Sequence, residues 1–202
     1  MNIFKAFILI FAFLAVSQIY PWNLKKDSNG VKVFTRKVQG FSIEEYRGEV
    51  EIQGSLEGLI KLVQDMPACS QWIEYCKEGK LIKKESNFIS YTYTETSLPW
   101  PMDNRDAVVK NILTLYPGGK GAKIDFTSSP NYIPPVSGIR RIQKIKGFWE
   151  FSKLENGNFK VTYQVLSDPE NIPAWMVNMG IVDQPYITLK NMKTFIKKDK
   201  YR

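Results

Sequence analysis

Histidine is missing from all 202 residues. With it go Ser-His-Asp and Cys-His catalysis and every histidine-containing zinc site. Only two cysteines occur, Cys69 and Cys76, too few for an all-cysteine zinc site. The expectation is therefore no metal and no cofactor, and any catalysis would have to rest on carboxylates, lysine or tyrosine. No apolar run reaches the ~20 residues that a transmembrane helix needs. No internal repeat, low-complexity stretch or Ser/Gly linker interrupts residues 23–198. Nothing resembles a heptad seam either, so the chain reads as one domain, expected to act as a monomer.

The apolar run that is present lies at the N-terminus. Lys5 gives a weakly positive start, Ala6 to Val16 is apolar, and Ala15-Val16-Ser17 supplies small residues at the −3 and −1 positions of a cleavage site. Residues 1–17 therefore read as a cleaved secretory signal peptide, with an uncleaved anchor as the alternative. No cysteine lies near enough for a lipoprotein anchor. The mature chain, Gln18 to Arg202, would be periplasmic or secreted.

The full chain carries a net charge of +8. Losing Lys5 leaves 27 basic and 20 acidic side chains, a net of +7. A chain of that charge is drawn to anionic surfaces, and export makes an anionic membrane face a better partner than nucleic acid. Lys190, Lys193, Lys197, Lys198, Lys200 and Arg202 crowd the C-terminus. Such a run is either a solvated face or an attractor of anionic lipid.

An oxidising compartment favours a disulfide between Cys69 and Cys76. At i and i+7 on one helix the two would stand too far apart to bridge. Pro67 and Lys77-Glu78-Gly79 allow a helix end or turn between them, and two buried free thiols remain the alternative. Closing so short a loop would stabilise by about 2.5 kcal/mol.

Val31–Val38 and Ile43–Ile52 alternate apolar and polar residues as half-buried strands do, with Gly40 in a short connection. Ser55 reads as the N-cap of a helix carrying Leu56, Leu59, Ile60 and Val63 on one face. Further strands are predicted at Lys80–Lys84, Phe88–Thr94, Ala107–Leu115, Lys120–Thr127, Ile145–Leu154 and Phe159–Leu166. Gly118-Gly119 and Asn156-Gly157 mark antiparallel hairpins. From Ile172 through Trp175, Met176, Met179, Val182, Tyr186 and Leu189 to Ile196 the period becomes helical. Asn171 or Asp168 would cap this helix, and Pro185 would kink it. Strands followed by one long amphipathic helix make an α+β domain, with the helix across the sheet.

The most informative segment is Leu98-Pro99-Trp100-Pro101-Met102-Asp103-Asn104-Arg105-Asp106. Two prolines around a tryptophan cannot continue a sheet ladder, so a stiff loop must hold the ring. Ser128-Ser129-Pro130-Asn131-Tyr132-Ile133-Pro134-Pro135 reads as a second irregular loop, broken by three prolines.

Pro99 to Asp106, together with Asp65 and Trp72, Gly147-Phe148-Trp149, Asp168-Pro169 and Ile172-Pro173-Ala174-Trp175-Met176-Val177-Asn178, falls in the order of one family. The chain resembles START (StAR-related lipid transfer) domains of the bacterial exported type over about residues 25–198. The resemblance implies a helix-grip fold, a curved antiparallel β-sheet wrapped around a long C-terminal α-helix. It also implies a single hydrophobic lipid in the tunnel between them, a phospholipid, a sterol-like or another hydrophobic molecule. The two proline-rich loops would form the tunnel mouth. A soluble carrier must enclose its ligand, since exposing a sixteen-carbon chain costs on the order of 13 kcal/mol at ~0.8 kcal/mol per methylene.

The expected lipid contacts come from several elements. On Ala107–Leu115, alternation puts Val109, Asn111 and Leu113 on one face. Asn111 either binds a polar head or satisfies a backbone group. Sterol-binding relatives place an arginine at its position and an acid near Tyr91, and this chain has neither. Tyr91, Tyr93 and Glu95 share a face, and a buried Glu95 would need a partner such as Arg105. Trp149 and Tyr163 are expected from the later strands, and Trp175, Met176, Met179 and Val182 from the helix. An amphipathic helix looks the same whether it packs or lines a cavity; the resemblance points to lining. Trp100 is either a loop anchor or a ring that dips into a membrane. The alternative to a carrier is an enzyme of the same superfamily, a cyclase or hydrolase, using Glu95, Asp103, Arg105 and Asp106. For Asp106 a bracing role in the loop is preferred.

Overall fold

Alternation along the strands is what builds the sheet. In a computed structural model of the chain, residues 20–100, 102–168 and 172–202 are described. Val31, Val33 and Thr35 of β2 (Val31–Arg36) are completely buried, while Lys32 between them is exposed. Val50 and Ile52 do the same on β3 (Glu45–Ile52). The remaining strands are β1 (Asn23–Ser28), β4 (Cys76–Lys84), β5 (Ile89–Thr96), β6 (Arg105–Tyr116), β7 (Gly121–Ser128), β8 (Arg140–Arg141), β9 (Lys144–Lys153) and β10 (Phe159–Asp168). They form one sheet in the order β1-β2-β3-β10-β9-β7-β6-β5-β4, antiparallel throughout, with β8 added parallel to the start of β6. The two glycine-marked turns do join antiparallel hairpins, β6–β7 and β9–β10.

α1 (Leu56–Gln64) is capped as expected, the Gly58 N–H donating to Ser55 Oγ at 3.0 Å. A 3-10 helix follows at Met66–Gln71, and Tyr75 then takes a left-handed φ of 64°. This turn carries the chain back, so that Cys76 at the start of β4 meets Cys69. The two form a disulfide with Cα atoms 5.9 Å apart.

Two strands escaped the sequence reading. β1 has the polar sequence NLKKDS and pairs only with β2, so no apolar alternation marks it. β8 is two residues long and exists only because Arg140 and Arg141 pair with Arg105 and Asp106.

The C-terminal helix is two helices rather than one. α2 (Ala174–Gly180) and α3 (Asp183–Phe195) meet at Ile181-Val182. The break falls where Pro185 would put it: its ring has no N–H to reach the Ile181 carbonyl one turn back, Gly180 ends α2, and Pro185 itself stands in the first turn of α3. The N-cap of α2 is Pro173. Asp168 ends β10 instead, and Asn171 lies outside the described residues. Residues 1–17, read from the sequence as a signal peptide, lie outside them too.

α3 lies on the sheet because glycine clears its path. A Cβ on Gly48 would stand 2.6 Å from Leu189 Cδ1 and 3.3 Å from Pro185 Cβ. Leu189 and Met192, both fully buried, join Val31, Val33, Phe151 and Val161 in the core. α3 is also tied laterally, Thr188 Oγ1 accepting from the Glu74 N–H at 3.0 Å and Asn191 donating to the Trp72 carbonyl at 3.2 Å. Asp65 docks the chain's end, accepting from Lys200 Nζ at 2.6 Å and the Tyr201 hydroxyl at 2.7 Å. Lys193, Lys198 and Arg202 of the basic run likewise have local partners. No helix of the described residues is long and apolar enough to cross a membrane.

Candidate functional site

A cavity of about 800 Å³ lies between the inner face of the sheet and α2 with the start of α3. That is towards the upper end for a single-ligand site. It lies beside the junction of α2 and α3 at Ile181-Val182, away from the core packing concentrated under α3 and α1.

β6 supplies Arg105, Ala107, Val109 and Asn111 to the wall, as alternation predicts. Opposite them on β5 stand Thr96, Thr94 and Thr92, paired in register with Arg105, Ala107 and Val109. Phe126, Ile145, Trp149, Tyr163 and Val165 continue the apolar surface across β7, β9 and β10. Met176, Val177 and Gly180 of α2 close one side, with Ser97, Leu98, Pro99 and Met102 of the proline-rich loop. Cys76 and Tyr75 also reach the cavity, so the disulfide forms part of its wall.

Thus Arg105, Val109, Asn111, Trp149, Tyr163 and Met176 come together as expected. Asn111 meets both of its alternatives: it lines the cavity, and its Nδ2 donates to Thr92 Oγ1 at 3.0 Å and to the Ser90 carbonyl at 3.4 Å.

The β5 residues are on the opposite face from the one expected. Tyr91, Tyr93 and Glu95 alternate with the cavity-lining threonines and so point away. They are buried all the same, because the second proline-rich loop covers the outer face of β5 and β6. Tyr132 stacks on Tyr91 with centroids 3.8 Å apart. Glu95 accepts from Lys77 Nζ at 2.8 Å and Asn104 Nδ2 at 2.7 Å, not from Arg105. The Lys77 hydrogen bond holds its carboxyl below the usual range, with Asn104 adding to the effect. Burial pushes the Tyr93 hydroxyl up to about 12, helped by the charges of Asp106 and Glu95.

Leu113 and Val182 pack against the core beyond the cavity. Trp175 is 64% exposed and Trp100 is 92% exposed, so neither lines it. Met179 is on α2, but its side chain lies outside the described part of the structure.

The Asn-Arg-Asp motif divides its labour. Asn104 Oδ1 accepts from the Leu98 N–H at 3.2 Å while its Nδ2 holds Glu95, closing the first loop. Arg105 turns into the cavity wall and donates to the Asp103 carbonyl at 2.7 Å. Asp106, fully buried, takes both arms of Arg141 at 2.7 and 2.9 Å. Arg141 in turn donates to the carbonyls of Pro130, Ile133 and Pro134. Asp106 therefore braces the second loop through an arginine. Asp103, exposed, pairs with Arg140 at 3.0 Å. Of the four residues considered for chemistry, only Arg105 reaches the cavity.

Tyr46 and Gln184 also line the wall, and the sequence reading missed both. The two tyrosine rings, Tyr46 and Tyr163, meet edge-on at 5.6 Å, and Tyr163 stacks on Trp149 at 3.8 Å. Burial pushes both tyrosine hydroxyls above their ordinary range, and for Tyr46 the neighbouring Tyr163 adds to the rise. Tyr46 follows Glu45 in an alternating strand and could have been found from parity. Gln184 could not, since it is polar and stands off the apolar stripe that the helical period marks. Among the described residues no group of three or more cysteine or carboxylate side chains could hold a metal ion.

Comparison with known proteins follows the same lines. The family profile described as START domain matches residues 17–183. An uncharacterized protein of Pseudomonas aeruginosa, PA1579, is 35% identical over 179 residues, 88% of this chain and 87% of the relative. The phosphatidylcholine transfer protein of Bos taurus is 27% identical over 177 residues, 85% of this chain and 82% of the relative. Among solved structures, a STAR-related lipid transfer protein from Xanthomonas axonopodis superposes with a TM-score of 0.81 at 31% identity. It covers 88% of this chain and 99% of its own.

Proposed function

We propose that this chain, which belongs to the START domain family, encloses a single hydrophobic lipid and carries or exchanges it between membranes without chemistry. The observation that carries this reading is the ~800 Å³ cavity, walled largely by apolar side chains and closed by a loop and a short helix. Sequestering alkyl chains there returns about 0.8 kcal/mol per methylene relative to water. Kinship to proteins named for lipid and phosphatidylcholine transfer supports the same ligand class.

Binding is favoured over catalysis because the carboxylates of the alternative are occupied elsewhere. Glu95 and Asp106 face away from the cavity, each with its own cationic partner, and Asp103 pairs at the surface. Exchange would begin with transient contact at an anionic membrane. Trp100, on the loop whose Leu98, Pro99 and Met102 line the cavity, and Trp175, on α2, present the exposed rings for it. Export by residues 1–17 fits a disulfide-bonded mature domain acting as a monomer.

The deciding experiment is native mass spectrometry of the mature chain purified from its own compartment, followed by extraction. One co-purifying lipid per protein is expected. A chain that arrives empty and takes up no lipid from vesicles would refute the reading.

A further inference from the structure

The outer face of the sheet is balanced in charge on one half and not on the other. On β2, β3 and β10 its cations have carboxylates. Arg36 pairs with Glu45 at 2.6 Å, Lys32 with Asp27 at 3.8 Å, and Arg47 and Lys160 with Glu49 at 3.2 and 3.0 Å. Across β4, β5, β6, β7 and β9 the register instead sets Lys83, Tyr91, Lys110, Thr127 and Lys146 in one row. Lys83 and Lys146 are exposed, and Lys110 is half-buried with its Nζ 5.9 Å from the centre of the Tyr91 ring. None of the three has an ion-pair partner among the described residues. The carboxylates one and two rows further along are already engaged, Asp125 by Lys123 at 2.7 Å and Glu150 by the Tyr116 hydroxyl. Like charges so placed repel, a cost that a partner of opposite charge would offset.

The row is also floored by apolar surface. Tyr132, 37% exposed, stacks on Tyr91 between the first two lysines. The next row carries Ile89, Ile112 and Phe148, with Ile112 44% exposed. Adjacent strands lie about 4.8 Å apart, so the lysines, each two strands from the next, are spaced by about 10 Å. Seven residues of α-helix rise about 10.5 Å and return to the same face.

We propose that this row is a docking surface for an acidic amphipathic helix of a partner protein. Carboxylates at seven-residue spacing would meet Lys83, Lys110 and Lys146, and apolar side chains beside them would cover Tyr132, Ile112 and Phe148. A membrane fits less well. Along β6 the row stands about 17 Å from Arg105, where the Trp100 loop joins the sheet. That is about two screening lengths at physiological salt, so lipid held at that loop scarcely reaches these lysines. The partner can therefore dock while the Trp100 loop is at a membrane, and the inference does not depend on what the cavity holds.

The test titrates the full mature chain into a fluorescein-labelled helical peptide, with glutamate at every seventh position and leucine beside it, at physiological salt. Fluorescence anisotropy reads the binding. Lys83→Glu, Lys110→Glu and Lys146→Glu together should weaken it about tenfold or more. Lys25→Glu, Lys61→Glu and Lys153→Glu, exposed lysines away from the row, make the same change in net charge and should leave binding within about twofold. Glutamine at the three row positions carries the test if charge reversal unfolds the chain. No binding by the unaltered chain, or equal losses in the two triple variants, overturns the surface. So does a row variant that keeps the peptide but loses vesicles of phosphatidylcholine with phosphatidylglycerol, which would make the row a membrane face.

Discussion

Replacing Asp106 by alanine should be one of the most damaging single changes available, though Asp106 does not touch the cavity. The Asp106 side chain is fully buried and that of Arg141 is 5% exposed. The carboxylate receives two hydrogen bonds, at 2.7 and 2.9 Å, in the bidentate geometry that fixes a guanidinium. Its removal would leave the Arg141 charge buried against three backbone carbonyls, which cannot neutralise it. Breaking one side of such a pair costs about 3–5 kcal/mol. In a domain of this size that is a fall in melting temperature of roughly 6–20 °C. The double variant Asp106→Ala, Arg141→Met removes both charges and should lose clearly less than Asp106→Ala or Arg141→Met alone. Urea unfolding of all four proteins closes the cycle, with an unchanged m-value required for the comparison. If Asp106→Ala lost under about 1 kcal/mol, or if the double variant lost the sum of the singles, the pair would not be the brace deduced for the second loop.

Three further outcomes are expected. Reducing the Cys69–Cys76 disulfide closes off a stabilisation of about 2.5 kcal/mol, and melting with and without dithiothreitol should show a loss of that order. An unchanged transition after thiol labelling confirms reduction would contradict it. Glu95, held below its usual range chiefly by Lys77, contributes stability that is present above the unfolded glutamate value near 4.3 and lost as the pH falls through its lower folded value. Glu95→Gln should therefore flatten the acid limb of a stability–pH profile, and an identical limb would count against the pairing. Trp100→Ala and Trp175→Ala should change stability by under about 0.5 kcal/mol, both rings being exposed, yet slow lipid exchange with anionic vesicles. Unaltered exchange would remove these rings from the membrane contact.

Much of the molecule can be read from local pattern. Absent histidine excludes whole classes of chemistry, Ser55 announces α1, and paired glycines announce the hairpins. The inner face of β6 follows from alternation alone, as does the irregularity of the two proline-rich loops. These features depend on a few consecutive residues, so a one-dimensional string contains them. The motif order that marks the family is legible for the same reason.

Only the tertiary structure decided which side of β5 meets the cavity. Its tyrosines look like core and its threonines like surface, but the antiparallel register with β6 turns the threonines inward. A one-residue slip would exchange the faces. The tyrosines are buried by a loop some 40 residues further along, through Arg141 reaching back to Asp106. The C-terminal helix breaks at Ile181-Val182, one turn before Pro185, whose ring cannot bond the Ile181 carbonyl; how the two pieces then pack is set by the sheet. That break places Gln184 in the cavity wall. Periodicity tells which residues share a face; what the face meets, whether core, cavity or covering loop, is settled by distant partners, and only the assembled fold brings those together.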